Sequence, residues 1–154
     1  MRSSFEIGVK LTLNLEGEGQ HTNDPHDPGG ETYSGISRKH NPKWAGWAFI
    51  DKKDYSTASK LVRDLYYEDY WKAAGCDEVP FPMDITLFDS QVNPQNDPLL
   101  PGGGNQEILL QKPENWQEYM ILRMIRYMNN SKPKYVKGHI FRVLRLCGEI
   151  RKLR

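Results

Sequence analysis

Between Gln20 and Ser37 the chain reads QHTNDPHDPGGETYSGIS, with prolines at 25 and 28 and glycines at 29, 30 and 35. A helix cannot run through such a stretch, because each proline lacks an amide donor and each glycine loses more backbone freedom than any other residue on becoming ordered. The segment must therefore be turns and short extended pieces. Asp27-Pro28-Gly29-Gly30 suits a type II turn, with proline second and glycine third, where φ is positive. The Ser34-Gly35 pair marks another turn, so a small hairpin near Tyr33 to Ile36 is expected. The same stretch sets one carboxylate, Glu18, just ahead of the bend and a second, Asp27, inside it. Two acids facing each other across a bend suit the cleavage of a glycosidic bond. That reaction needs a proton donor on the leaving oxygen and a second group to activate water or steady the developing cation.

The flanks are richer in regular structure. Residues 5–15 place Phe5, Ile7, Val9, Leu11, Leu13 and Leu15 at every second position, which leans towards a strand. Ser3 and Glu6 nevertheless match a helical capping box, and the same apolar residues also line a broad helical face. Ala58, Leu61, Val62, Leu65, Tyr66 and Tyr70 follow helical spacing, with Ser56 as the expected N-cap and Gly75 as the stop. Ile85, Phe88 and Val92 form a shorter stripe that ends at Asn93-Pro94, and 96–105 reads as a loop. A further helix is expected from Pro113, turning Trp116, Tyr119, Met120, Met124, Tyr127 and Met128 inward, and a last one burying Ile140, Val143, Leu144 and Cys147. No repeat or long linker divides the 154 residues. The expectation is one domain over 1–154, mainly α, with a helical body and a small turn-rich or β lobe near the N-terminus. The junction of the two is where a cleft belongs.

Charge is unevenly spread. Residues 1–119 hold 11 Lys/Arg and 19 Asp/Glu, a balance of −8, whereas 120–154 hold 10 Lys/Arg against Glu149 alone, a balance of +9. Either the basic end packs beside the acidic part and neutralises it, or it forms a face for an anionic surface such as a cell wall or membrane. Nucleic acid is the weaker fit. Cys76 and Cys147 have no CxxC spacing and follow no secretory leader, so both are expected as free thiols. Glu6, Lys10, Thr12 and Asn14 interrupt the first apolar run, which excludes a signal-peptide core or a membrane span there and implies cytoplasmic synthesis without a signal peptide. His21, His26, His40 and His139 show no HExxH spacing, and neither GxSxG nor GxxxxGK[ST] occurs, so no metal or other cofactor is expected.

As a general acid, Glu18 would need an apolar or carboxylate-rich setting to keep its proton near neutral pH, and Glu16, two residues away, is one source of that setting. The plainer readings are that Glu18 solvates the end of the first element and that Asp27 bonds its own turn. Thr32 and Tyr33 are placed to orient a water or a sugar hydroxyl, or simply to favour strands. Trp44, Trp47, Tyr33 and Tyr70 offer flat faces for sugar rings, or serve as core.

Taken together, the motifs resemble glycoside hydrolase family 108, N-acetylmuramidases of phages and bacteria. That family opens with a Glu, usually followed by two Gly, and then Asn-Asp-Pro-x-Asp-x-Gly-Gly-x-Thr-x-x-Gly-Ile/Val. Here Glu18-Gly19-Gln20, Asn23-Asp24-Pro25, Asp27, Gly29-Gly30, Thr32 and Gly35-Ile36 keep every interval. Tyr67–Trp71 (YEDYW), Leu87–Asn93 (LFDSQVN), and Lys137-Gly138 with Arg142 are similar to later family elements. The resemblance implies a lysozyme-like α+β fold in which residues 5–15 are helical. It also implies Glu18, not Glu16, as the acid, Asp27 and Thr32 as its catalytic partners, and Tyr33, Asn23, Asp89 and Asn93 at the substrate. The implied activity is hydrolysis of peptidoglycan glycan strands by a phage or prophage endolysin acting on the bacterial wall. Release through a holin, no nucleic-acid partner and no stable membrane insertion go with that reading. Gln20 stands where the family has a second Gly, and after Val92-Asn93 the family's Gly-containing continuation is replaced by Pro94 and a Gly/Pro-rich loop. The rival reading is a catalytically inactive wall-binding or interaction module.

Overall fold

Residues 5–15 are helical. In the computed structural model, which describes residues 2–24, 30–93 and 112–153, helix α1 spans Arg2–Glu16. Its every-second-residue pattern comes from two helical stripes on nearly opposite sides of one helix. Phe5, Val9 and Leu13, four apart, enter one hydrophobic cluster with Leu87, Phe88 and Trp71. Ile7 and Leu11 pack against a second cluster around Met83, Trp116 and Val143. A helix wedged between two cores needs apolar residues on both sides, and at about 100° per residue two stripes of i, i+4 spacing interleave as an alternation.

The lobe after α1 is a three-stranded antiparallel sheet of β1 (His21–Thr22), β2 (Thr32–Tyr33) and β3 (Ile36–Ser37), in that order. Tyr33 pairs with His21 on one side and Ile36 on the other. The β2–β3 turn is the expected Ser34-Gly35 pair, with φ of 47° and 80°; two positive φ values in a two-residue loop are the type I′ signature that matches strand twist. Gly35 is needed twice over. A Cβ there would sit 2.9 Å from the Tyr66 hydroxyl and 3.1 Å from the Glu16 Cβ, so this turn presses directly on the end of α1. Outside it, Arg38 bonds Glu31 at 2.7 Å and Asp51 through both guanidinium Nη atoms, and stands over Trp47, tying the sheet to α2 (Trp47–Ile50).

Helix α3 (Tyr55–Leu65) starts two residues earlier than expected, because the Asp54 side chain, not Ser56, caps it by accepting from the Thr57 amide. It continues as a π-helical segment, Tyr66–Lys72, and the chain passes Gly75 into a 3-10 turn, Cys76–Glu78. Helix α4 (Met83–Val92) is the centre of the molecule, with every residue from Met83 to Ser90 buried. Its polar members are satisfied: Thr86 donates to the Met83 carbonyl, and Ser90 bonds both Leu87 and the Tyr119 hydroxyl. After a 3-10 turn at Pro113–Asn115 come α5 (Trp116–Asn130) and α6 (Pro133–Lys152).

Two inward assignments are corrected. The buried arc of α5 is Trp116, Tyr119, Met120, Arg123 and Tyr127, which leaves Met128 outside. That of α6 is Val143, Leu146 and Ile150, which turns Leu144 to solvent. Cys76 and Cys147 are free thiols. The expected 27–30 turn, except for Gly30, and the 96–105 loop fall outside the described residues.

Substituting Gly35→Ala is expected to cost about 1–3 kcal/mol, since it combines a left-handed backbone with a steric clash. Gly148→Ala, in α6 where a Cβ meets nothing within 4 Å, should instead stabilise by about 0.5–1 kcal/mol. Thermal melts of both variants check the pair of signs.

Candidate active site

The exit of α1 fixes the backbone on both sides of Glu18. Gly17, at φ 86°, ends the helix, and the Glu18 amide donates to the Leu13 carbonyl at 2.9 Å, the six-to-one bond of a Schellman stop. One residue on, the Gly19 amide donates to the Ser34 hydroxyl at 2.9 Å, and the Ser34 amide donates to the Gln20 carbonyl at 2.9 Å. Glu18 is thereby held beside the β2–β3 turn with its side chain exposed. Gln20 is accommodated without strain. The left-handed residues here are Gly17 and Gly19, not Gln20, and the Gln20 side chain folds back over Gly17, with Oε1 2.8 Å from where a Cβ would be.

Glu16 has a different fate. Its half-buried carboxylate receives a hydrogen bond from Arg142 Nη1. Arg142 also donates to both oxygens of Asp89, from Nη2 at 2.7 Å and Nε at 3.2 Å. Arg123 adds two bonds of 3.1 Å to Asp89 Oδ2, and Thr12 donates to Oδ1 at 3.3 Å. The chain goes on from Arg123 Nη2 to the Tyr127 hydroxyl at 3.0 Å, which donates to the Asn93 carbonyl at 2.9 Å. Burial by itself would raise the Asp89 carboxyl, but Arg123 and Arg142 outweigh it and hold the group below the usual carboxylate range. Burial alone would lower the Arg142 guanidinium, but the carboxylates of Asp89 and Glu16 outweigh it and push the group up.

The expected site residues therefore divide. Asp89, expected at the substrate, is 0% exposed, its carboxylate bonded by Arg123, Arg142 and Thr12. Tyr33, also expected there, is buried between Trp44 and Tyr55, and its hydroxyl shares a 2.9 Å bond with Ser59. Thr32 is half-buried on β2 and donates to the Gly30 carbonyl at 3.2 Å. Asn23 is exposed after β1. Asn93 lines a cavity of about 290 Å³ with Leu15 of α1 and Gly138, His139, Phe141, Arg142 and Arg145 of α6. Asp27 lies outside the described residues. The lobe also carries His21 and Arg38 on Glu31, so that carboxylate, too, is held down, chiefly by Arg38.

Arg123 was not singled out from sequence, although a visible signal existed: a cation on the apolar stripe between Trp116 and Tyr127. Ser34 and Tyr66, whose hydroxyl donates to the Ser34 carbonyl at 3.2 Å, carry no such signal, because their roles arise from the docking of the lobe.

The glycosyl hydrolase 108 family model matches residues 11–94, more than half of the chain. The chain belongs to glycoside hydrolase family 108. Comparison with curated proteins and with solved structures found no match. Family 108 membership makes the chain a glycosidase by class, with a glycan as substrate. The mostly helical body with a three-stranded antiparallel sheet fits the α+β lysozyme-like architecture. The matched family 108 span includes Glu16, Glu18 and Asp89 and ends before Arg123 and Arg142, so its buried carboxylate takes both guanidinium partners from α5 and α6.

Because the Asp89 pKa is depressed in the folded chain, its stabilisation is complete above the unfolded value of about 4 and is lost as pH falls through the lower folded value. Melting temperature should hold above about pH 5 and drop below about pH 4. Asp89→Asn should cost about 3–5 kcal/mol at neutral pH, by leaving Arg123 and Arg142 uncompensated, and should flatten the acid limb. Melts of both proteins across that range supply the check.

Proposed function

We propose that this chain is an N-acetylmuramidase that hydrolyses the glycan strands of peptidoglycan, with Glu18 as the general acid. The observation that carries this reading is the divergence of the two glutamates at the end of α1. Arg142 engages Glu16 in an ion pair, whereas Glu18 projects beside the lobe, its own amide bonded to Leu13 and the next amide, of Gly19, bonded to Ser34. A general acid must reach the bridging oxygen of a bound sugar, and a carboxyl covered by substrate favours its neutral, proton-donating form. Asp27 then steadies the oxocarbenium-like transition state or positions water, and Thr32 assists. Asn93 belongs to the same reading as a contact of the bound strand. In biological setting, the reading is a phage or prophage endolysin that is released through a holin and acts on the bacterial wall.

Release of reducing ends from purified peptidoglycan tests it. The wild-type protein should release them, and Glu18→Gln should lower the rate by about 10²–10⁴-fold, the usual contribution of a positioned general acid. Wall binding without any release by the wild-type chain would favour the inactive-module reading. Unchanged release by Glu18→Gln would remove Glu18 from the mechanism.

A further inference from the structure

Eight large hydrophobic side chains are exposed among the described residues, and seven of them lie between 121 and 153. Ile121, Ile125 and Met128, spaced four and three apart, form one stripe on the side of α5 turned away from Trp116 and Arg123. Phe141 and Leu144 form another on α6, the helix against which α5 packs most extensively. These five are 46–61% exposed. The same two helices carry the cationic excess of the chain, and on α6 cations stand directly over exposed rings. Lys134 Nζ stands 4.7 Å from the Tyr135 ring centroid, and Lys137 Nζ 5.6 Å from that of Phe141. Lys132, Arg145, Arg151 and Lys152 are exposed as well, and of the two acids on these helices, Glu118 and Glu149, the latter is bonded to Lys152 at 2.7 Å.

We propose that the outer face of the α5–α6 hairpin docks on a lipid bilayer that carries anionic headgroups. A purely anionic polymer would reward the cations and leave the aliphatic stripes in water. A second copy would cover the stripes but bring two strongly basic segments together. An anionic bilayer satisfies both, since the apolar side chains enter the headgroup boundary while Lys and Arg stay at its charged surface. The hairpin lies on the surface: among the described residues no helix is long and apolar enough to cross a membrane. Such docking would hold a glycan hydrolase at the inner boundary of the wall, yet it rests on no part of the glycan reading.

The test is co-sedimentation with vesicles of phosphatidylcholine, with or without phosphatidylglycerol, at low and high salt. The wild-type chain should bind the phosphatidylglycerol vesicles about tenfold or more tightly and lose that preference in high salt. Ile125→Asn with Leu144→Asn, and separately Lys134→Gln with Lys137→Gln, should each weaken binding by about tenfold or more at unchanged melting temperature. Equal partition into both vesicle types, or none, overturns the proposal. So does binding indifferent to the Asn pair, as for adsorption by charge alone, or a dimer in sedimentation velocity that the Asn pair dissolves.

Discussion

The carboxylate of Asp89 is the point on which the rest of the structure turns. It sits on the buried face of α4, receives guanidinium groups from α5 and α6 and a hydroxyl from α1, and has no exposed surface. Four helices therefore meet at one charge. Removing such a group from water is costly, and a buried cluster of this kind does more to decide which helices meet than to raise net stability. Its reach extends to the surface through Arg142, whose third hand holds Glu16, the last residue of α1. The position of that helix end is thus set by the interior. From it follow the Gly17 stop, the exposure of Glu18, and the seat for Gly35, which brings the β lobe against the same spot.

Much of this was legible in the chain. The Pro/Gly stretch encodes its own turns, so the hairpin at Ser34-Gly35 could be read locally. Some helix boundaries were visible, as at Pro113 and Gly75, whereas Ser56 misplaced the start of α3, which Asp54 caps. The ambiguity of residues 5–15 was physical, because two interleaved helical stripes and one strand give the same alternation, and only the presence of a second cluster around Trp116 distinguishes them. Misplaced side chains share a cause. Met128 and Leu144 belong to second apolar stripes that face away from the buried arcs, and a single helix does not say which stripe its neighbour covers until that neighbour is in place.

The site was less legible than the fold. The motif spacing picks out Glu18 by resemblance, but nothing local distinguishes it from Glu16; Arg142, more than a hundred residues away, does. Asp89 and Tyr33 looked like substrate contacts because polar and aromatic residues in a motif invite that reading. In the fold both are buried, Asp89 against two guanidinium groups and Tyr33 between Trp44 and Tyr55. Gln20, a departure from the family pattern, sits without backbone strain because Gly17 and Gly19 carry the left-handed conformations.

Two glutamates at one helix end, one in an ion pair and one exposed beside the lobe, are the core of the account. The most direct measurement compares reducing-end release and melting temperature for Glu16→Gln and Glu18→Gln in parallel. The account predicts that Glu18→Gln abolishes release and keeps the melting temperature, while Glu16→Gln lowers the melting temperature and leaves release in the folded fraction. Release that survives Glu18→Gln, and is abolished by Glu16→Gln at unchanged stability, would contradict it.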